Sequence, residues 1–189
     1  MALTVHRAVV GLLETNCYVL MRDGRDDCLV IDPGAGASKI LALTAGRKIA
    51  AILLTHGHFD HCGAAEDLMG EGTRLLIHEA DAAMPGDPAW NVSWMIGRAF
   101  ALKAPLETFR DGDELDLAGI RLKVIHTPGH TRGSCCFETE DLLFTGDTVM
   151  GGSVGRTDLP GGDEAQLWAS VARIRPLFAT HRILGGHGE

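Results

Sequence analysis

Apolar residues come in short bursts along this chain, and nearly every burst ends in a turn. Residues 3–10, 16–21 and 28–31 are rich in Val and Leu and are broken by turn residues at Gly11–Thr15 and at Arg22-Asp23-Gly24-Arg25, which predicts three strands. Ser38 then reads as the N-cap of a helix running to about Arg47, with Ile40, Leu41 and Leu43 inward. The pattern continues with a strand over 49–54, a helix over 62–69 and a strand over 74–78. Residues 85–105 break the rhythm. Pro85-Gly86-Asp87-Pro88 marks a loop, and Val92, Met95, Ile96, Ala99 and Leu102 share one helical face. That segment is expected to be a helix serving as a flap or a subunit contact. Strands over 115–117, 120–125, 135–138 and 142–145 follow. A Gly-rich loop over 151–162 leads to a helix capped by Asp163, with Leu167, Val171 and Ile174 inward, and residues 182–184 form a last strand.

Four of these strands end in a turn holding groups able to bind a cation. The first carries Thr55-His56-Gly57-His58-Phe59-Asp60-His61, with four candidate ligands in six positions. His56, His58 and Asp60 alternate, so they share a direction only on extended or turning backbone; a helix pairs i with i+4 instead. The others are His130 in Thr-Pro-Gly-His-Thr, Asp147 in Thr-Gly-Asp-Thr and His187 in Gly-Gly-His-Gly. Imidazole nitrogen and carboxylate oxygen suit zinc, iron and manganese, and seven such ligands exceed what one ordinary site takes. Glycine beside each ligand lets backbone approach closely. Asp32, before Pro33-Gly34, falls on the same edge if its strand runs parallel to the one before the His cluster. It is either a turn residue or a carboxylate that orients a ligand. Cys62 reads as a packing residue and His78 as structural.

Composition narrows the choice. A chain of 189 residues with 46% hydrophobic and 22% charged residues is read as a single domain, 1–189, with 85–105 as its flap or contact segment. The net charge of -8 and the lack of a Lys/Arg run speak against nucleic acid as a partner. Five Cys, an odd number with two adjacent, fit reduced thiols in a cytoplasmic protein better than a disulfide framework. No basic leader or membrane-length apolar run is visible. A small-molecule substrate and a homodimer are the expected partners.

The four motifs in order, THGHFDH, TPGHT, FTGD and GGHG, resemble the metallo-β-lactamase-fold hydrolases. The loop GGSVGRTDLPGGD is similar to the compact glyoxalase II-like (hydroxyacylglutathione hydrolase-like) branch. The resemblance spans Asn16 to His187 and implies an α/β fold, a four-layer αββα sandwich with the site at one edge of two sheets. It also implies two divalent metal ions, zinc first, with iron or manganese as the other choices. By motif position, His56, His58 and His130 would hold the first, Asp60, His61 and His187 the second, and Asp147 would bridge them. Asp60 and Asp147 would then be catalytic, with hydroxide attacking a thioester or a related small acyl compound. No G-x-S-x-G is present for a serine mechanism.

Two alternatives share the fold. A persulfide dioxygenase-like oxidoreductase would use a single iron on His56, His130 and Asp147, and lactone or phosphodiester hydrolysis would use the same pair of cations. β-Lactams are a less natural substrate, since a Cys ligand and a substrate-binding Lys have no counterpart in the motifs. The helical region that carries the glutathione-binding residues of glyoxalase II has no room here. Two residues follow His187, and a weaker second cation is the expectation from that short end.

Overall fold

A computed structural model describes residues 1–188. Among these residues, eleven strands form two sheets. The first contains β1 (Leu3–Val10), β2 (Thr15–Arg22), β3 (Asp27–Ile31), β4 (Lys48–Leu53), β5 (Arg74–His78) and β6 (Glu107–Phe109), in that spatial order. β1 to β3 are antiparallel, and β3 to β6 run parallel. The second contains β7 (Glu114–Leu117), β8 (Ile120–His126), β9 (Cys135–Thr139), β10 (Leu142–Gly146) and β11 (Arg182–Gly185), ordered β11-β10-β9-β8-β7. β10 and β11 pair in parallel.

Alternation along the strands makes the layers, because successive side chains point to opposite faces. Tyr18, Leu20, Leu29, Ile31 and Leu53 face Ile120, Leu122, Val124, Phe137 and Phe144 between the sheets. Val19, Met21, Cys28, Val30 and Ile52 face the other way, under Ile40 of α1 (Ala37–Leu43), Cys62 of α2 (Phe59–Cys62) and Ala65 and Leu68 of α3 (Ala65–Leu68). On the far side, Ile125, Cys136 and Leu143 pack on Ile174 of α4 (Glu164–Ile174). The result is helix, sheet, sheet, helix: the αββα sandwich. All five Cys are free and buried. No helix among the described residues is long and apolar enough to cross a membrane.

The helices depart from their sequence patterns for local reasons. α1 starts two residues early, with Gly36 rather than Ser38 at its N-cap, and stops at Leu43, before Ala45 and Gly46 at positive φ. Leu41 is exposed. The helix expected over 62–69 is split into α2 and α3, because the Ala64 N–H is drawn to Pro33 O at 2.9 Å instead of continuing the helical ladder. The helix expected over 91–102 is a single 3₁₀ turn, Ser93–Ile96. The Asn91 amide donates to Pro85 O and Phe100 O, closing the segment into a loop, and Val92 and Gly97 take left-handed backbone on either side. α4 is capped as expected, Asp163 accepting from the Gln166 N–H at 2.9 Å.

Candidate metal centre

All seven predicted ligands meet at one edge of the sandwich, past the C-terminal ends of β4, β8, β10 and β11; five stand in loops, whereas Asp60, expected on extended or turning backbone, lies with His61 on a helical turn. His56 and His58 come from the loop after β4; Asp60 and His61 from α2, which begins with His58 as its N-cap. The parallel pairing of β3 with β4 brings Asp32 to the same edge.

The candidate ligands fall into overlapping groups: His56, His58 and His130; Asp60, His61 and His187; and His56, His61 and Asp147, which joins the other two. His58 Nδ1 lies 3.1 Å from His56 Nε2 and 3.0 Å from His130 Nε2. The far side of each outer ring fixes its tautomer. His130 Nδ1–H donates to Arg156 O at 2.7 Å, leaving Nε2 with a lone pair. The Thr55 hydroxyl donates to Asp32 Oδ2 at 2.7 Å, so its oxygen accepts from His56 Nδ1–H at 3.1 Å and His56 Nε2 is also bare. At most one proton, on His58 Nδ1, is left for this cluster of three nitrogens. A tetrahedral zinc spaces its nitrogens about 3.3 Å apart, close to what is found. The donor set therefore fits a divalent cation.

The second set is built the same way. His61 Nδ1–H donates to Asp32 Oδ2 at 2.9 Å, and His187 Nδ1–H donates to Leu13 O at 2.9 Å. Their Nε2 atoms face each other at 3.3 Å. Asp60 Oδ2 lies 3.4 Å from His61 Nε2 and 3.3 Å from His187 Nε2. Asp147 reaches both sets: Oδ1 is 3.4 Å from His61 Nε2, and Oδ2 is 3.4 Å from His130 Nε2. Asp147 Oδ1 is buried with no hydrogen-bond partner among the described residues, as an oxygen meant for a cation would be.

The charge states follow. Burial, helped by the neighbouring imidazoles, holds His56 well below the usual histidine range and takes His58 down to about 3, so both are neutral at pH 7. Burial pushes His61 the same way, but Asp60, Asp147 and Asp32 outweigh it and hold the ring well above its ordinary value. His187 is also raised, since Asp60 and Asp147 overcome its burial. Burial works against ionising Asp60 and Asp147 as well, yet the surrounding imidazoles hold both carboxyls below the usual range.

Several side chains hold the ligands in place. Asp32, at φ 53°, accepts from Thr55 N–H, Thr55 Oγ1–H and His61 Nδ1–H, so it is an orienting carboxylate. Sequence patterns gave no role to Asp81, Thr15 or Thr55. Buried Asp81 accepts from Gly57 N–H, Thr131 Oγ1–H and Gly133 N–H, tying the first ligand loop to the His130 loop. Thr15 donates to Asp60 Oδ2 at 3.0 Å. The signal that finds Asp81 is tertiary: a lone acid after the β5 strand has no local motif. Residues 185–188 are tied by Asn16, whose amide donates to Gly185 O and Gly188 O. Cys62 packs in the core, its thiol on His58 O. His78 stacks on His126 at 4.0 Å, away from the ligands.

Over the centre lies a cavity of about 510 Å³. Leu13, Met95, Ile96, Met150 and Leu159 give it an apolar wall, and His58, Asp60, His130, Asp147 and His187 reach it from below. Met95 and Ile96 come from the 85–105 segment, which thus forms one side of the cavity as a loop.

An αββα sandwich with a buried His/Asp cluster suited to divalent cations, set at the sheet ends, defines a class of protein. The chain belongs to the metallo-beta-lactamase superfamily, whose pattern matches residues 10–187. It is similar to the crystal structure of the B3 metallo-beta-lactamase BLEG-1, with a TM-score of 0.91 and 32% identity over 98% of this chain and 92% of that one. It is similar also to TTHA1623 in a di-iron-bound form, with a TM-score of 0.86 and 34% identity over 97% of this chain and 92% of the other. Hydroxyacylglutathione hydrolase of Xylella fastidiosa is 33% identical over 87% of this chain but only 56% of its own length.

Proposed function

We propose that the protein is a two-cation hydrolase of thioesters or related small acyl compounds. The observation that carries this reading is the pair of ligand sets facing one cavity and joined by Asp147. His56, His58 and His130 would hold one cation, Asp60, His61 and His187 the other, and Asp147 both. Cations held there supply hydroxide at neutral pH and a Lewis acid for a carbonyl oxygen. Zinc is the first candidate; the di-iron form of a similar structure makes iron the second.

The protein's own part is positioning. The cavity lining holds no Ser, Thr, Cys or Lys among the described residues, and its Asp and His side chains are taken up as ligands in this reading, so the nucleophile comes from water. Asp60, kept ionised by His61 and His187 and fixed by Thr15, would help orient the hydroxide that bound cations supply. The leaving group receives no help from a Lys or Tyr general acid on this lining. That favours a thiolate, which departs without protonation at a pKa of about 8.5, over an amine. The name of the Xylella relative points to the same chemistry, although it extends well beyond the part this chain matches.

The test is elemental analysis of freshly purified protein alongside a panel of acyl thioesters. Two equivalents of divalent metal with thioester turnover support the reading. A single iron per chain, with sulfite formed from a persulfide, would move the protein to the oxidoreductase class. A metal-replete protein that cleaves no thioester sinks the proposal.

A further inference from the structure

The cavity over the ligands has a neighbour. Leu13, Phe59, Asp60 and Ile96 line it and also line a second cavity of about 310 Å³. Of the seven candidate ligands, only Asp60 touches this second space. Leu12, Ala35, Ala64 and Phe100 extend its apolar surface, and its other charged side chains, Asp67 and Arg98, are exposed. The two cavities together make one groove, pinched between Leu13 and Ile96, that starts over the metal centre and leads away across Asp60.

The rims are unusual for their position. The tip of the β1–β2 hairpin, where polar turn residues are the rule, instead carries Leu12 at 86% and Leu13 at 47% exposure. Across the cleft, Met95 is 48% exposed. Apolar side chains gathered in water beside a reactive centre mark a binding surface. We infer that the second cavity is a subsite for an unbranched apolar acyl chain, whose carbonyl lies over the His/Asp cluster while its methylenes pass between Leu13 and Ile96. This rests on the hydrolase reading for the position of the carbonyl. At about 30 Å³ for a water-sized group, the space takes on the order of ten such groups, which matches a chain of medium length. The substrate class is accordingly a medium-chain acyl thioester, rather than a short, polar hydroxyacyl compound.

Calorimetric titration of the zinc-loaded protein with straight-chain carboxylates, from acetate to decanoate, tests the subsite without turnover. Affinity is expected to rise about fourfold for each methylene and to level off once the groove is full. Ala35→Trp fills the groove from its floor, and Leu12→Asp, at an exposed position that does not endanger folding, puts a charge on its rim. Both are expected to pull the octanoate-to-acetate affinity ratio towards unity. A flat series in the unaltered protein overturns the subsite, and so does a rise that survives both substitutions. A flat series from a protein that sediments as a dimer overturns it too, and assigns the apolar rims to a second copy of the chain. A graded series in a protein that hydrolyses no thioester leaves the subsite standing and removes the hydrolase reading.

Discussion

Asp32→Asn separates the shape of the orienting carboxylate from its charge. Asn is nearly isosteric and tolerates the left-handed backbone at φ 53°, so the substitution adds no strain of its own. The amide oxygen still accepts from the Thr55 N–H. The new NH₂ replaces Oδ2, which receives Thr55 Oγ1–H at 2.7 Å and His61 Nδ1–H at 2.9 Å. Two donors then face each other at His61. The ring relieves this by moving its proton to Nε2, the atom that faces Asp60, Asp147 and His187. A protonated Nε2 cannot bind a cation. Losing an orienting partner of this kind costs about 10–100-fold in metal affinity, or about 1.4–2.7 kcal/mol. Losing buried hydrogen bonds to a charged acceptor costs about 2–3 kcal/mol of stability, which lowers Tm by about 5–10 °C in a chain of this size. Competition against a chromophoric chelator resolves the two cations, and calorimetry reads Tm. The expected result is weaker binding of the cation on Asp60, His61 and His187, and of the one on His56 too, since the Thr55 hydroxyl loses its acceptor and turns onto His56 Nδ1. A variant that binds both cations as the parent does would refute the tautomer argument, whatever its Tm.

Asp147→Ala removes a carboxylate that reaches both ligand sets, so retention of both cations and all turnover is expected to be lost; circular dichroism should be unchanged, and activity at ordinary zinc levels would contradict the bridging role. At Gly34 a Cβ would sit 1.5 Å from Asp60 O, which forces α2 and its two ligands aside. Gly34→Ala should therefore cost about 3 kcal/mol or more and weaken the second cation, and a parental Tm would disprove the contact. His61 and His187 have raised proton affinity in the metal-free chain, whereas His56 and His58 are already neutral at pH 7. Protons thus compete with a cation mainly at the second set, whose apparent affinity should climb with pH through the neutral range. Titrations at several pH values check the sign; a steeper dependence at the first set would reverse the assignment.

Much of this architecture is written locally. Short apolar bursts between turn residues mark all but one of the strands, and those buried on both faces show as runs of Val, Leu and Ile. The exception is β6, three residues with two of them exposed. The ligands are equally visible, since each stands in the turn directly after an apolar strand. What the amino-acid order could not supply is the partner of each group. His56 and His61 are five residues apart, one in an extended loop and the other on α2, yet folding brings both within reach of Asp147. Asp81 looks like any surface acid until folding places three donors from two loops around it. The 85–105 segment carries a helical pattern, but Asn91 closes it into a loop through carbonyls up to nine residues away. Leu12 and Leu13 are only a greasy turn in the sequence, and become one wall of a groove when β5 and its following loop bring Ile96 opposite. Periodicity records which face of an element is buried; it holds no information about which distant loop arrives there, and the chemistry of this centre is made of such arrivals.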